Sequence, residues 1–156
     1  MRFLFYDKVL ALEPSRRILT AKSISIGDEF LPEHYPRKPV MPAALILECV
    51  AQAGGWLYIV TENFAITTVL GLVQGVQING LVFAGDTLEM EVWMQFGHRG
   101  GATMRAEARN GNQRVMSVDR LVFASQPLRD AEAIQSSRQL FRYLSGDFPL
   151  DGARRS

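Results

Sequence analysis

Residues 34–52 read His-Tyr-Pro-Arg-Lys-Pro-Val-Met-Pro-Ala-Ala-Leu-Ile-Leu-Glu-Cys-Val-Ala-Gln, a proline-rich lead followed by an unbroken apolar run. The prolines at positions 36, 39 and 42 lack an amide donor and disfavour helix in the residue before each. We therefore predict that His34 lies on a constrained, extended loop. Proline is tolerated where a helix begins, so the apolar run predicts a helix from residue 43 to about residue 60.

This helix is apolar on nearly all sides, which is typical of a helix buried against a sheet. Five further segments are rich in Val, Ile, Phe, Trp and Met, with partial alternation of apolar and polar residues. This pattern predicts strands at residues 18–26, 69–78, 88–96, 102–109 and 113–123. A sheet must bury one face, and the apolar helix is the available partner. The pattern alone therefore predicts an α+β domain.

Turn residues connect the last three predicted strands. Asn110-Gly111 is a strong signal for a two-residue hairpin turn of type I′, in which both central residues have positive φ. The glycine-rich segment 97–101 predicts a looser connection. Together the two turns predict a three-stranded antiparallel meander.

The C-terminal part of the chain differs in character from the rest. Residues 130–144 predict a helix with Ile134, Phe141 and Leu144 on one stripe, ending near Gly146. We expect a main domain at residues 1–125 and a helical extension at 126–156, whose last residues, 151–156, form a disordered tail.

Composition limits the classes of function. The chain has 156 residues, of which 47% are hydrophobic, and a net charge of +1, which suits one compact domain and gives no reason to expect nucleic-acid binding. The sequence predicts neither a membrane span nor a secretory signal. The single cysteine, Cys49, forms no internal disulfide. We expect a cytoplasmic protein.

The segment around the helix start carries a family resemblance. His34 is followed by an aromatic residue and Pro36, then by Pro39-Val-Met-Pro and a small residue; Glu48 comes fourteen positions after His34 and Gln52 four after that. This pattern resembles the 3-hydroxyacyl-ACP dehydratases of fatty-acid synthesis. A looser resemblance to the same family extends to about residue 123. The resemblance implies a hotdog fold, an antiparallel sheet wrapped around one long central helix. It also implies a homodimer whose active sites take residues from both subunits, with hexamers in part of the family.

The resemblance also implies roles for five residues. His34 would remove the α-proton of a 3-hydroxyacyl thioester, and Glu48 would donate a proton to the departing hydroxyl, leaving a trans-2-enoyl thioester. The amides of Ala43 and Ala44, at the helix start, would bind the thioester carbonyl. Gln52 would orient Glu48 or a water. Because the helix is apolar, we expect desolvation to favour protonated Glu48.

The substrate would arrive on acyl carrier protein or, alternatively, on coenzyme A. Four cations are candidates for contact with an acidic carrier, namely Arg37, Lys38, Arg99 and Arg105. This chemistry requires no cofactor, and the two histidines, His34 and His98, form no metal-binding pattern. His98 lies between glycines and is expected to be exposed.

Departures from the family pattern suggest a specialised acyl chain. Arg37 and Ala43 replace glycines that are usual in the family, and residues 76–80 lack the basic residues of close relatives. Two other functions stay open: a hotdog thioesterase that uses Glu48 alone, and a non-catalytic acyl-binding protein. More ordinary structural roles also stay open, with Glu48 in an ion pair, Gln52 satisfying backbone groups and Cys49 buried as a small apolar residue.

Overall fold

The computed structural model describes residues 6–34 and 37–146, excluding the side chains of residues 33 and 34. Six strands and three helices lie within these ranges. In chain order they are β1 (Lys8–Glu13), β2 (Arg17–Ser23), α1 (Phe30–His34), α2 (Ala43–Thr61), β3 (Ile66–Ile78), β4 (Thr87–His98), β5 (Gly101–Asn110), β6 (Gln113–Pro127) and α3 (Ala131–Ser145).

The strands form one antiparallel sheet in the order β1-β2-β4-β5-β6-β3. Helix α2 contacts β2, β3, β4, β5 and β6, so the sheet wraps around it. This is the hotdog architecture, and the predicted α+β class is confirmed. The predicted meander is present as β4-β5-β6, and α2 begins at the predicted residue.

Small residues let the sheet approach α2 closely. A Cβ built on Gly54 would lie 3.0 Å from the Phe123 ring and 3.3 Å from the Met104 sulfur. Ala53 and Leu57 are completely buried. Within the described residues, α2 is the one helix long and apolar enough to cross a membrane, but 56% of that stretch is buried inside the fold. Packing against the sheet therefore accounts for its apolar composition.

Strand β1 (Lys8–Glu13), which pairs with β2 at the sheet edge, was not predicted. Its apolar residues alternate poorly, and the turn to β2 depends on Ser15, which has φ of 64° without being glycine. The predicted strand at 18–26 also ends early, at Ser23. The Asp28 carboxylate accepts a hydrogen bond from the Ser25 amide at 3.0 Å, which forms a turn where the prediction continued the strand.

The prediction that His34 lies on an extended loop is wrong for the backbone, because His34 is the last residue of α1 (Phe30–His34). A proline restricts the residue directly before it, and His34 stands two positions before Pro36. Pro32 lies in the single turn of α1, where a proline costs no helical hydrogen bond. Residues 35 and 36 lie outside the described residues.

The predicted turn at Asn110-Gly111 is displaced by one position. Asn110 pairs with Gln113, so the two turn residues are Gly111 and Asn112. Only Gly111 has positive φ, at 57°, which fits a type II′ turn and excludes the predicted type I′. The meander is unaffected, because the predicted turn and the observed turn both contain two residues.

Helix α3 follows the prediction closely at both ends. The Asp130 carboxylate caps it by accepting a hydrogen bond from the Glu132 amide at 3.1 Å, and Gly146 follows its last residue with φ of 61°. The buried Phe141 ring lies 5.3 Å from the Trp56 ring and 5.8 Å from the Phe64 ring, measured between centroids. Strand β6 runs through residue 125, and the division into 1–125 and 126–156 stays a proposal. The expected tail at 151–156 lies outside the described residues.

Replacing Phe141 by alanine is expected to destabilise the fold by about 3 kcal/mol, because the change leaves a cavity beside Trp56 and Phe64. Urea unfolding followed by circular dichroism measures the loss. Tyr143→Ala is the matched control, since Tyr143 lies on the same helix but is 80% exposed. Equal losses for the two variants would show that α3 does not dock through Phe141.

Candidate active site

The candidate residues of α2 lie on the face turned away from the sheet. Ala44, Glu48 and Gln52 follow one another at intervals of four, which places them in one row along the helix. Ala44 and Glu48 are exposed, and Gln52 is half-buried. The other side of α2, which includes Cys49 and Ala53, is buried under the sheet.

Within this row, Glu48 and Gln52 are joined directly. The Gln52 side-chain amide (Nε2) donates a hydrogen bond to Glu48 Oε1 at 3.0 Å. The bond orients the carboxylate along the helix surface. The structure therefore brings together two of the residues that the sequence singled out.

Glu48 was expected to be desolvated, and in the single protomer it is exposed. The expectation assumed that an apolar helix is covered on every side. The sheet covers only one side of α2, and Glu48 lies on the other. Burial of this carboxylate would require a second protomer or a bound substrate.

The start of α2 is anchored to the segment before β4. The Met41 amide donates to the Val82 carbonyl at 2.8 Å, and Val40 forms an isolated bridge with Phe83. Pro42 precedes the helix, and no side chain of the described residues caps this end. The first intrahelical bonds come from the Leu45 and Ile46 amides to the Pro42 carbonyl.

The Ala43 and Ala44 amides therefore precede the first hydrogen-bonded turn, where helical donors are available to a ligand. Ala43 has negative φ; within the described ranges, only Ser15, Asn63 and Phe64 have positive φ without being glycine. Alanine is fully compatible with this conformation, so its replacement of the usual glycine leaves the helix start intact.

A cavity of about 260 Å³ lies beside Glu48 and Gln52. It is formed between the exposed face of α2 and the edge of the sheet. Apart from Glu48, Gln52 and Thr68, its walls are apolar or glycine: Ala51, Gly55, Trp56, Ile59, Leu70 and Phe123. The carboxylate and the amide thus face a pocket suited to an aliphatic group.

Several of these wall residues were not predicted as part of the site. Ile59 and Thr68 carry no distinctive motif, and Thr68 comes to the cavity only through the return of β3 beside α2. The sequence favours Trp56 as a core or interface aromatic, with the lining of an acyl tunnel as the alternative. Its spacing supports the alternative, because Trp56 follows Glu48 by two intervals of four and thus shares its helix face.

Strand β3 forms one edge of the sheet, next to this cavity. Along β3, Val69 is 57% exposed, Leu72 43% and Ile78 58%. A long edge strand that exposes apolar side chains is prone to pair with another chain. Strand β3 therefore presents an exposed apolar edge beside this cavity.

The cations are distributed over different surfaces. Arg37 and Lys38 are exposed directly before α2, and the Lys38 ammonium lies 5.5 Å from the centre of the Phe83 ring. Arg99 is exposed in the β4–β5 turn. The Arg105 guanidinium stacks 3.9 Å above the Trp93 ring, away from the cavity beside Glu48.

Three further predictions concern single residues. His98 is exposed, as predicted, and its Nδ1 accepts a hydrogen bond from the Gly100 amide at 3.1 Å. Cys49 is completely buried, as predicted, and burial raises the pKa of its thiol to about 12. The His34 side chain lies outside the described residues.

Comparison with known proteins identifies the family. The model of the FabA-like domain matches residues 1–119. This chain belongs to the FabA-like family. A FabA-like relative from Pediococcus pentosaceus, named 3-hydroxyacyl-(acyl-carrier-protein) dehydratase FabZ, is 36% identical over 117 residues, which cover 74% of this chain and 78% of the relative.

Solved structures agree with the hotdog fold of the FabA-like family. The dehydratase heterocomplex ApeI:P from Xenorhabdus doucetiae aligns with a TM-score of 0.66 and 15% identity, covering 88% of both chains. The protein smu.793 from Streptococcus mutans, solved with acetyl-CoA, has the same TM-score and identity, covering 83% of this chain and 95% of that one. At such identities the likeness concerns the fold alone.

Proposed function

We propose that this FabA-like protein dehydrates a 3-hydroxyacyl thioester, carried on acyl carrier protein, to a trans-2-enoyl thioester. The activity is that of a hydro-lyase in fatty-acid or related acyl-chain synthesis. The observation that carries the proposal is Glu48, which lies in the second turn of α2 and is held by Gln52 beside a mainly apolar cavity. The likeness to a curated FabZ dehydratase supports the same reaction.

The first chemical requirement is removal of the α-proton, with negative charge developing on the thioester oxygen. His34 is the proposed base, since imidazole titrates near neutral pH. The Ala43 and Ala44 amides are proposed to donate hydrogen bonds to the thioester oxygen. The positive end of the α2 dipole stabilises charge at the same place.

The second requirement is departure of the β-hydroxyl as water. Protonated Glu48 is proposed to donate this proton, and the Gln52 hydrogen bond orients the carboxyl group. The proton taken by His34 and the proton given by Glu48 balance over the reaction, so water is the only by-product. Neither proton transfer needs a metal or an organic cofactor.

The site is proposed to be complete only in a homodimer, with His34 and Glu48 contributed by different subunits. The exposed apolar residues of the β3 edge and the exposed face of α2 support this arrangement. A second subunit would cover both and remove Glu48 from water. Assembly of dimers into a hexamer is a further possibility that the family resemblance suggests.

The proposed carrier is acidic acyl carrier protein, with coenzyme A thioesters as the alternative. Arg37 and Lys38, exposed before α2, offer positive charge near the helix start. A cytoplasmic location is proposed with this function, as the sequence predicts.

Mass spectrometry of 3-hydroxyacyl thioesters incubated with the protein tests the proposal. We expect loss of one water from substrates on carrier protein, with the acyl group still attached. Release of free acid would contradict dehydration and indicate a thioesterase. An unchanged but bound substrate would indicate a non-catalytic acyl-binding protein.

A further inference from the structure

A second and larger cavity, of about 700 Å³, lies between α3 and the C-terminal half of α2. We name it the α3 groove. Its walls come from α2, β3, α3 and the segment before α3. They combine apolar side chains with two serines, a threonine and a glutamine, and no charged side chain of the described residues lines them. The lining residues are Trp56, Ile59, Ile66, Thr67, Leu128, Ala133, Ser136, Ser137, Gln139, Leu140 and Tyr143.

The α3 groove adjoins the cavity beside Glu48. Trp56 and Ile59 line both of them, and Thr67 in one is followed by Thr68 in the other. Glu48, Gln52, Trp56 and Ile59 share one helix face, because they are spaced by four, four and three residues. The path from Glu48 to Ile59 rises about 16 Å along α2.

Helix α3 uses two adjacent faces for two purposes. Phe141 and Leu144 are buried in the core and fix the helix in place. The neighbouring face, with Ala133, Ser137 and Leu140, turns to the groove. The small side chains at 133 and 137 leave the space beside Trp56 open. Helix α3 lies beyond residues 1–119, so the groove wall that α3 contributes lies outside the matched FabA-like domain.

We infer that the α3 groove holds the distal part of the substrate's acyl chain, so that α3 determines chain-length preference. This inference rests on the proposed function. An extended alkyl chain advances about 1.25 Å per carbon, so the path of about 16 Å from Glu48 to Ile59 accommodates about 13 carbons beyond the reacting C3. The preferred substrates are accordingly 3-hydroxyacyl chains of about 16 carbons, and shorter chains fill the groove only in part.

The chemistry of the groove favours an alkyl chain. Its walls offer mostly aromatic and aliphatic surface, with a few uncharged polar groups and no charged partner in the part of the chain that the structure describes. Removing one methylene from water is expected to raise kcat/KM by three- to fourfold, the equivalent of about 0.8 kcal/mol. Activity should therefore rise steeply with chain length until the groove is filled.

Filling the groove tests the inference. Ser137→Phe places an aromatic ring at its wall, and Gln135→Phe is the matched control, because Gln135 is an exposed residue of α3 outside the groove. Wild type and both variants are assayed with 3-hydroxybutanoyl, 3-hydroxyoctanoyl and 3-hydroxytetradecanoyl thioesters. We expect Ser137→Phe to lower the tetradecanoyl-to-butanoyl ratio of kcat/KM at least tenfold, and Gln135→Phe to leave that ratio as in wild type.

An unchanged ratio in Ser137→Phe would overturn the inference. Equal loss at all chain lengths, together with dissociation seen by size-exclusion chromatography, would also overturn it, since a second subunit would then occupy the groove. If wild type dehydrates none of the substrates, the proposed function fails. In that case, calorimetry with saturated acyl-pantetheine thioesters of the same lengths tests the groove separately. If the groove holds the acyl chain, Ser137→Phe should weaken binding of the longest thioester selectively.

Discussion

Replacing Glu48 by glutamine is expected to lower kcat/KM for dehydration by about 10³-fold, because the amide cannot donate a carboxylic proton to the departing hydroxyl. The change keeps the size of the side chain and leaves an oxygen that can still accept the hydrogen bond from Gln52. Substrate binding should therefore change little, and the loss should appear in kcat. Steady-state kinetics on a carrier-bound substrate measure both parameters.

Glu62→Gln is the matched control for this experiment. Glu62 follows the last turn of the same helix, outside the residues that line the cavity beside Glu48. The same chemical change at that position should leave kcat within about twofold of wild type. Full activity in Glu48→Gln would remove Glu48 from the mechanism and, with it, the proposed site.

Replacing His34 by alanine is expected to cause a loss of about the same size, since it removes the proposed base. The variant also separates dehydration from hydrolysis. A thioesterase that relies on Glu48 would retain much of its activity without His34. Water loss and acid release should therefore be measured in the same reaction.

Mixing the two inactive variants tests whether the site is shared between subunits. Consider a mixed dimer of one His34→Ala subunit and one Glu48→Gln subunit. If each site takes His34 from one subunit and Glu48 from the other, one site has both native side chains and the other site has neither. Random exchange after co-refolding makes half of the dimers mixed, so about a quarter of wild-type activity is expected. No recovery in dimers shown to be mixed would place the two residues in the same protomer's site. The matched control is His34→Ala with His34→Ala,Glu48→Gln, which regains no complete site.

Much of the fold could be predicted because local signals agree with the tertiary arrangement. The apolar run after Pro42 is too long and too uniform for a surface helix, and α2 begins where the proline allows it. The β4-β5-β6 meander follows from short turns that leave neighbouring strands no alternative to pairing. Helix α3 has a capping aspartate at one end and a glycine at the other, so its limits are local properties.

The errors occurred where a local rule was applied beyond its range. A proline governs the residue directly before it, and extending its effect to His34 concealed the short helix α1. The turn after β5 shifted by one position because strand pairing, and not turn propensity alone, selects which residues occupy the turn. Strand β1 has a weak pattern and is held by its partner β2.

The sequence by itself determined the α+β class, the central helix and the order of the chemical groups along it, because helical periodicity places Glu48 and Gln52 in one row. The hotdog fold followed from the family resemblance. Only the tertiary structure decided which face of α2 the sheet covers, and therefore that Glu48 is exposed in a single protomer. It also decided that α3 leaves a groove beside Trp56. Covered faces and grooves arise from contacts between segments distant in the chain, which local patterns do not encode.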